Sequence, residues 1–561
     1  MNVMMKRFFA FFVMFFAVAM LNVGCDKDII NIVDPSNSGG NADEDISNID
    51  FGVSVEVLFS TSGAATVTGT NDDFSVTVNG NDVTIVYSGD STVMYTLSGT
   101  TTDGYFKLYS AHKQGITLNN VSITNKNGAA VNVQGTPADP NGGQCTYVVV
   151  SGSNTLADGS SYTDTPSSED EKAVVFGEGQ LVFCGDGSLT VTATGNNGVA
   201  SDDYLHIMSA PTIHVTSSAG HGLRAKDYIL VDGGTIDVNV SANTKKGLSS
   251  DGFVWINSGA MTITVTGGAA YDTEDGAYSG TAGIKADGYF RMEGGSVTVT
   301  NSGTGGKGIS SDGAGYFYGG AVDVTTTGNN YTSGDISSKA IKFDGNLIFA
   351  GGNVTVSCSA HEGIESKGSI TISDGTVYSY SAKDDAINSA GDFTISGGYV
   401  CGHATSNDGL DANGNFYIKG GLVYAIGSKQ PEVAIDANTE GGKRLYVQGG
   451  TIIAIGGLEN NSSLTQSCYS ASSWSSNTWY ALTVGSNTYA FKTPSNGGTT
   501  LVVSGASTPS LKSSVTVSGG NTIFNGTLTM DGTVSGGSSV SLSSYTGGNG
   551  GGGHGPGPGG W

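Results

Sequence analysis

Gly283-Ile284-Lys285-Ala286-Asp287-Gly288 is the stretch that decides the fold, because related phrases recur through the middle of the chain. Residues 308–313 repeat it as Gly-Ile-Ser-Ser-Asp-Gly. Looser copies centre on Val199, Leu223, Leu248, Ile341, Ile364, Ile387, Leu410 and Ile435. Most copies are 23 to 25 residues apart. A fixed period in this range predicts a solenoid of stacked repeats.

A second phrase, Gly-x-Φ-x-Φ with Φ apolar, keeps step with the first. Its glycines are Gly234, Gly259, Gly295, Gly320, Gly352, Gly375, Gly398 and Gly421. The alternation within it is typical of strands. Both series lengthen at 269–281 and 327–337, where we expect insertions. Parallel strands joined by crossovers are almost always right-handed, so the sequence predicts an all-β, right-handed parallel β-helix with small β caps at both ends.

The ends of the chain differ in composition from the repeats. A basic start and an apolar run precede Gly24-Cys25, which is typical of a lipoprotein signal. We therefore expect lipidation of Cys25, and a secreted protein whose only membrane contact is this lipid. The cluster Asp26-Lys27-Asp28 resembles a surface-export signal of Bacteroidetes lipoproteins, which implies an outer-membrane location facing the exterior. The predicted segments are a signal at 1–24, a flexible linker at 25–50, an N-terminal β cap at 51–110, the β-helix at 111–456, a C-terminal cap at 457–545 and a disordered tail at 546–561.

Charge and cysteine content exclude some functions. The net charge of −25 makes nucleic-acid binding unfavourable and favours cations, or partners bridged through cations. The six cysteines include no Cys-x-x-Cys pair, so a structural zinc site has no support. We expect a monomer.

Equivalent positions of stacked repeats form columns, so the charges can be followed from rung to rung. In the rungs up to Ile341, Lys flanks the Gly-Ile and Asp precedes the turn glycine. These opposite charges can neutralise each other as surface salt bridges. From Ile364 onward the columns become acidic, and Lys367 and Lys383 are the only nearby cations that the sequence places.

This acidic half is the predicted ligand-binding face. Carboxylates one rung apart, about 4.8 Å, repel by roughly 1 kcal/mol in water and about 3.5 kcal/mol at an effective dielectric of 20. Hard oxygen ligands at this spacing suit calcium; a solvated acidic face with raised pKa values is the alternative. The candidate ligand-binding residues are Glu362, Glu365, Asp384, Asp385, Asn388, Asp408, Asp411 and Asp436. The candidate calcium ligands among them are Glu362, Asp385, Asp408, Asp411 and Asp436.

The phrases at 283–288 and 408–413, with the Gly-Gly-x-Val-x-Val strands, resemble the secreted β-helix carbohydrate-binding domain family of clostridial and Bacteroidetes surface proteins. The resemblance covers roughly residues 95–530. It implies a pectate-lyase-like β-helix that uses calcium and binds pectic, polygalacturonate-like glycans without established lyase activity.

The predicted function is therefore non-catalytic binding of an acidic polysaccharide through calcium. Aromatic side chains can add sugar contacts, although we expect most of them to pack between strands: Tyr378, Tyr380, Tyr399, Phe416, Tyr417 and Tyr424. A surface adhesin or structural rod is one alternative. A calcium-dependent lyase is another, but it needs a basic side chain beside the scissile uronate. No Arg lies within 362–436, so Lys367 or Lys383 would have to serve. Asp202-Asp203 and Gly220-His221-Gly222 echo polygalacturonase motifs whose other elements are missing.

Overall fold

The computed structural model describes residues 45–163, 165–208, 210–273 and 276–547. The chain forms two units, Met1–Ile49 and Asp50–Trp561. The predicted signal, Cys25 and most of the predicted linker and tail lie outside the described residues. In the first unit the described residues hold a single 3-10 turn, Ile46–Asn48. No helix in the described part of the chain is long and apolar enough to cross a membrane.

The second unit is all-β, as predicted, and its repeats stack as strands in three columns. Column A is a fourteen-stranded sheet that contains the Gly-Ile phrases. Its first two strands are antiparallel, and from the second strand onward neighbours are parallel. Its strands are Phe74–Asn79, Asp82–Tyr87, Tyr105–Tyr109, Val131–Gln134, Ala173–Gly177, Asn197–Ser201, Leu223–Ala225, Lys246–Ser250, Ala282–Ala286, Lys307–Ser311, Lys339–Phe343, Ile364–Ser366, Ile387–Ser389 and Leu410–Ala412.

Column B follows the turn after each column A strand and belongs to a thirty-stranded sheet. Its strands are Val53–Phe59, Val93–Thr101, Gln114–Thr124, Thr146–Ser151, Leu181–Gly185, Leu205–Ile207, Tyr228–Val231, Phe253–Ile256, Phe290–Met292, Gly315–Phe317, Leu347–Cys358, Ile370–Ser381, Phe393–Ile395, Phe416–Ile418, Leu445–Val447 and Ser463–Leu464.

Column C belongs to the same sheet and contains the Gly-x-Φ-x-Φ phrases. It includes the C-terminal parts of the long strands at 93–101, 114–124, 347–358 and 370–381. Its remaining strands are Ser153–Ala157, Ser188–Ala193, Thr212–Ser217, Thr235–Val240, Ala260–Val265, Ser296–Asn301, Ala321–Thr326, Tyr399–Ala404, Leu422–Ile426 and Thr451–Ile455.

The parallel pairing extends beyond the predicted boundaries at both ends. Val53–Phe59 already pairs parallel with Val93–Thr101, inside the segment predicted as a cap, and carries the antiparallel strand Thr66–Thr68. At the other end, a parallel bridge joins Ile435 to Leu458. Antiparallel strands then close the stack: Leu501–Ser504, Cys468–Ala471 and Ser543–Tyr545. A separate six-stranded sheet contains Trp479–Val484, Asn487–Lys492, Ser510–Ser518, Asn521–Ile523, Leu528–Met530 and Thr533–Val540.

The Gly-Ile phrase is explained by packing inside the stack. The apolar residue at its centre points inward, and Ile284, Ile309 and Leu410 are each 0% exposed. Burying one such side chain contributes about 1.5–3 kcal/mol. The preceding glycine leaves room for the opposite wall: a Cβ at Gly283 would lie 2.3 Å from Cγ1 of Val299. The repeated pair therefore specifies the core.

The small residue before the turn ties neighbouring rungs together. The Ser311 hydroxyl donates to the carbonyl of Gly288 in the previous rung at 2.9 Å and accepts from the amide of Gly313 at 3.0 Å. With the core and the turn fixed in this way, the outward positions of column A are left to vary. These are the position two residues before the central apolar residue and the position one residue after it.

Both predicted insertions lie where the repeat lengthens, and both border column A. The first is an antiparallel hairpin, Ala270–Asp272 with Ala277–Ser279. The second contains the 3-10 turn Thr332–Gly334. The rings of Tyr278 and Tyr331 bring the two insertions together, with centroids 5.9 Å apart.

Candidate functional site

The register of column A places the predicted acidic residues on one face. Glu365 is paired with Asn388, and Asn388 with Asp411. Ile435 bridges to Leu410, which brings Asp436 beside Asp411. The earlier outward position carries Glu362, Asp385 and Asp408 on successive rungs. The column predicted from the repeat phrase is therefore present as a physical surface.

Three of these residues meet in a carboxylate cluster, which we define as Asp408, Asp411 and Asp436. One carboxylate oxygen from each lies within 4.8 Å of the other two. Asp408 is only 8% exposed, and its Oδ1 accepts a hydrogen bond from the backbone amide of Val433 at 2.5 Å. The Asp408 amide in turn donates to Oδ1 of Asp385 at 3.0 Å. The backbone thus holds the carboxylates in place without neutralising them.

Burial and mutual repulsion raise the pKa values of this group. The pKa of Asp408 lies well above its usual range because the carboxyl is buried and faces Asp436 and Asp411. The pKa of Asp385 is raised in the same way, by burial and then by Asp411 and Asp408. Burial raises the pKa of Asp411 to about 6 and that of Asp436 to about 7. A cation in the cluster would remove this cost.

The structure adds Glu459, which the sequence analysis missed. It follows Leu458, whose bridge to Ile435 extends column A by one rung. Glu459 is 4% exposed and accepts a hydrogen bond from Thr439 at 2.9 Å. Burial and its hydrogen bond to Asp436 raise its pKa to about 8. The signal was present in the sequence, since Gly457-Leu458-Glu459 repeats the pattern of Gly409-Leu410-Asp411.

A second group, the histidine cluster of His361, Glu362 and Asp384, lies upstream of the first. His361 Nδ1 is 2.9 Å from Oδ2 of Asp384 and also contacts Glu362. These partners raise the pKa of His361 to about 9 despite its burial, so the ring is a cation at neutral pH. Asn407 donates to the other oxygen of Asp384 at 2.9 Å. His361 was not among the predicted site residues, and it supplies the charge that balances this group.

Lys339 corrects the predicted charge balance. The sequence places only Lys367 and Lys383 near the acidic face, but Lys339 Nζ lies 3.2 Å from Glu362 and 2.6 Å from Glu365. Lys367 instead pairs with Asp344 at 4.0 Å, and Lys383 is exposed. Glu362 and Glu365 are therefore compensated, unlike Asp408, Asp411 and Asp436. Glu362, a predicted calcium ligand, belongs to the histidine cluster and not to the carboxylate cluster.

Most of the predicted aromatic contacts are packing contacts. Phe416 and Tyr424 are 0% exposed and Tyr378 is 8% exposed. Tyr417 stacks on Tyr446 with centroids 5.0 Å apart, and Tyr399 is 38% exposed. Tyr380 meets His403 edge-on. Of the six, only Tyr399 is exposed, and Tyr380 and Tyr417 are half-buried.

Comparison with known proteins gives one family match and one similar solved structure. A family profile described as carbohydrate-binding domain-containing protein matches residues 79–275 and 240–386, which together span more than half of the chain. Among solved structures, a polysaccharide lyase-like protein from C. thermocellum, studied as a gadolinium derivative, is 22% identical; the match covers 46% of this chain and 94% of that one, with a TM-score of 0.37. No curated protein matches the sequence.

Proposed function

The chain belongs to the family of carbohydrate-binding domain-containing proteins, and from this premise we propose that it binds an acidic, pectin-like polysaccharide through a calcium ion at the carboxylate cluster. The polysaccharide class follows from family membership. The calcium and the acidic character of the glycan are our proposal. The binding is non-catalytic.

The observation that carries this proposal is the placement of Asp408, Asp411 and Asp436. Their ligand atoms are within 4.8 Å of one another, and no described lysine, arginine or histidine forms an ion pair with any of the three. Calcium takes 6–8 oxygen ligands, so three carboxylates fit such an ion and leave coordination positions for other oxygens. When bound, the ion would attract the carboxylates of the glycan, which this acidic protein would otherwise repel.

We propose binding rather than cleavage because the nearby bases are poorly suited to remove a proton. Lys339 is held by two carboxylates, which raise its pKa, so it keeps its proton at neutral pH. His361 is protonated for the same reason. A general base must be available in its unprotonated form near the operating pH.

The remaining proposals concern the architecture and the location of the protein. We propose that the stacked repeats wind as a right-handed parallel β-helix, the hand adopted by about 98% of parallel crossover connections. We also propose that the protein is monomeric and anchored through a lipid on Cys25 at the outer membrane, facing the exterior. This arrangement would present column A to polysaccharide outside the cell.

Calorimetry with polygalacturonate, in calcium and in EDTA, tests the function. We expect calcium-dependent binding that is lost in Asp408→Asn/Asp411→Asn and kept in Asp323→Asn, a matched change at an exposed column C position. The amide preserves the acceptor for the Val433 amide. Absence of binding to polygalacturonate and to a panel of neutral glycans would contradict the proposal and favour a structural rod. Formation of an unsaturated uronate, detected by its absorbance, would establish a lyase.

A further inference from the structure

The upstream half of column A contains a groove of the opposite charge. Two cavities of about 770 and 250 Å³ lie along it and share Lys246, Ser279 and Lys285, so they form one continuous basic groove. Eight Lys or Arg side chains and five Asp side chains are among its described lining residues. A local excess of cations is notable in a chain with a net charge of −25.

Most of the charges in the groove neutralise each other, as the sequence predicts. Lys285 lies 2.8 Å from Asp287 and 2.7 Å from Asp312. Arg224 lies 3.1 Å from Asp251. Such exposed pairs contribute little to stability, and they leave few charges available for a ligand.

Lys307 has no such partner. It is largely buried, it lines the smaller cavity, and its ammonium group forms no ion pair or hydrogen bond with a described residue. Its register neighbour is Lys339. Burial, followed by repulsion from Lys342 and Lys339, lowers the pKa of Lys307 to about 8. A buried ammonium without a counter-ion is costly, and an anion placed in this cavity would relieve that cost.

The walls of the groove show which kind of anion fits. The two insertions rise beside Lys307, where Tyr278 and Ile336 line the same cavity. On the hairpin, Tyr278 is 46% exposed and Tyr271 is 53% exposed, with their rings edge to face at 5.3 Å. Exposed aromatic rings beside a charged pocket offer an apolar surface to a ring-shaped ligand. A free inorganic anion would make no use of them.

His221 adds a polar contact at the other end of the groove. Its Nδ1 accepts a hydrogen bond from the Lys246 amide at 3.0 Å, so Nε2 carries the proton. Burial and the neighbouring Lys246 and Arg224 hold its pKa well below the usual range, so the ring stays neutral. It can therefore donate to a hydroxyl or carboxylate without changing charge.

We propose that this basic groove is a second binding site, in which Lys307 pairs directly with a carboxylate or sulfate of an acidic polysaccharide and Tyr278 packs against the sugar ring. The groove needs no metal ion, because its own basic side chains pair with the anionic groups of the ligand. This inference rests on the proposed function only in taking the ligand to be an acidic polysaccharide.

The test is binding of polygalacturonate in EDTA, where the carboxylate cluster cannot contribute through calcium. We expect binding that weakens at least tenfold in Lys307→Gln and about threefold or more in Tyr278→Ala, and that is unchanged in Lys512→Gln, an exposed lysine of the C-terminal sheet. No binding by the native chain in EDTA, or equal binding by Lys307→Gln, would overturn the proposal. Replacing an unpaired buried lysine should not impair folding, and urea unfolding of Lys307→Gln checks this.

Two further arms separate the sources of the anion and the two proposals. Sodium sulfate should bind at least a hundredfold more weakly than the polymer, since several groups act together along a chain; equal affinity would make the groove a free-anion site and contradict the inference. Asp408→Asn/Asp411→Asn should retain binding in EDTA. If the native chain shows no calcium-dependent binding but still binds polygalacturonate in EDTA, the proposed calcium bridge is wrong and the basic groove stands.

Discussion

Lys307 and Asp408 occupy the same outward position of column A, four rungs apart, and they carry opposite charges. Lys307 is largely buried and Asp408 is buried, and neither has an ion-pair partner among the described residues. Burial lowers the pKa of Lys307 to about 8 and raises that of Asp408. The two pKa shifts have opposite signs and the same cause, and a ligand of opposite charge would relieve the cost in each case. Uniform backbone geometry leaves the charge of each rung to select the ligand.

The boundary between the two halves is Lys339, and its removal should have the largest effect. Lys339→Met leaves Glu362 and Glu365 without their nearest lysine, and breaking a buried ion pair costs about 3–5 kcal/mol. Urea unfolding measures the loss. Lys367→Met is the matched control, because Lys367 is exposed and its contact with Asp344 is long, at 4.0 Å. Equal destabilisation by both changes would show that the boundary has no special role.

The pH dependence of stability should reveal the uncompensated half. In the folded protein the pKa is about 6 for Asp411 and about 7 for Asp436, against about 3.9 when unfolded. The folded state therefore holds more protons between about pH 4 and pH 7, and stability falls as pH rises through this window. We expect metal-free Asp411→Asn/Asp436→Asn to have a higher Tm than the native chain at pH 8 and a smaller gain at pH 5.

Calcium should reproduce that gain in the native chain. At pH 8 it should raise the Tm of the native chain and leave that of Asp411→Asn/Asp436→Asn unchanged. A metal-free Tm that is constant or rises from pH 5 to pH 8, with no benefit from the substitutions, would contradict the predicted repulsion.

If the basic groove binds its ligand by direct charge pairing, the affinity should depend on the salt concentration. Increasing NaCl from 50 mM to 500 mM shortens the screening length to about a third, so binding of polygalacturonate in EDTA should weaken about tenfold. Titration calorimetry at the two salt concentrations measures this. Binding that is independent of salt would argue against Lys307 as the principal contact.

The smallest effect is expected for an exposed pair in the upstream half. Arg224→Met removes the ion pair with Asp251, and both side chains are more than a third exposed. Such pairs contribute about 0–1 kcal/mol, so the urea midpoint should shift only slightly. A loss as large as that for Lys339→Met would mean that the two halves do not differ in how they depend on ion pairs.

The regular part of the site could be predicted from the sequence. The Gly-Ile phrase fixes which residues point inward, and a register shift of one residue would bury every outward charge. For this reason Asp408, Asp411 and Asp436 could be placed together from their spacing alone. The upstream pairs of Lys285 with its two aspartates follow from the same register.

The remainder depends on features that a repeat pattern does not contain. The long side chain of Lys339 reaches the next rung. Its position in the repeat therefore did not show that it pairs with the acidic residues downstream. His361 lies outside the two outward positions and enters the site through a turn. Glu459 follows the rung at which the phrase loses its second glycine. Burial of Lys307 depends on Ile336 and Tyr278, which belong to insertions that have no counterpart in other rungs.

Calcium binding to the protein alone tests the central claim most directly. Titration calorimetry at pH 7.5 should show saturable calcium binding by the native chain, at least tenfold weaker in Asp408→Asn/Asp411→Asn and unchanged in Asp323→Asn. Absence of binding by the native chain, or equal affinity in the double variant, would contradict the assignment of the carboxylate cluster as the cation site.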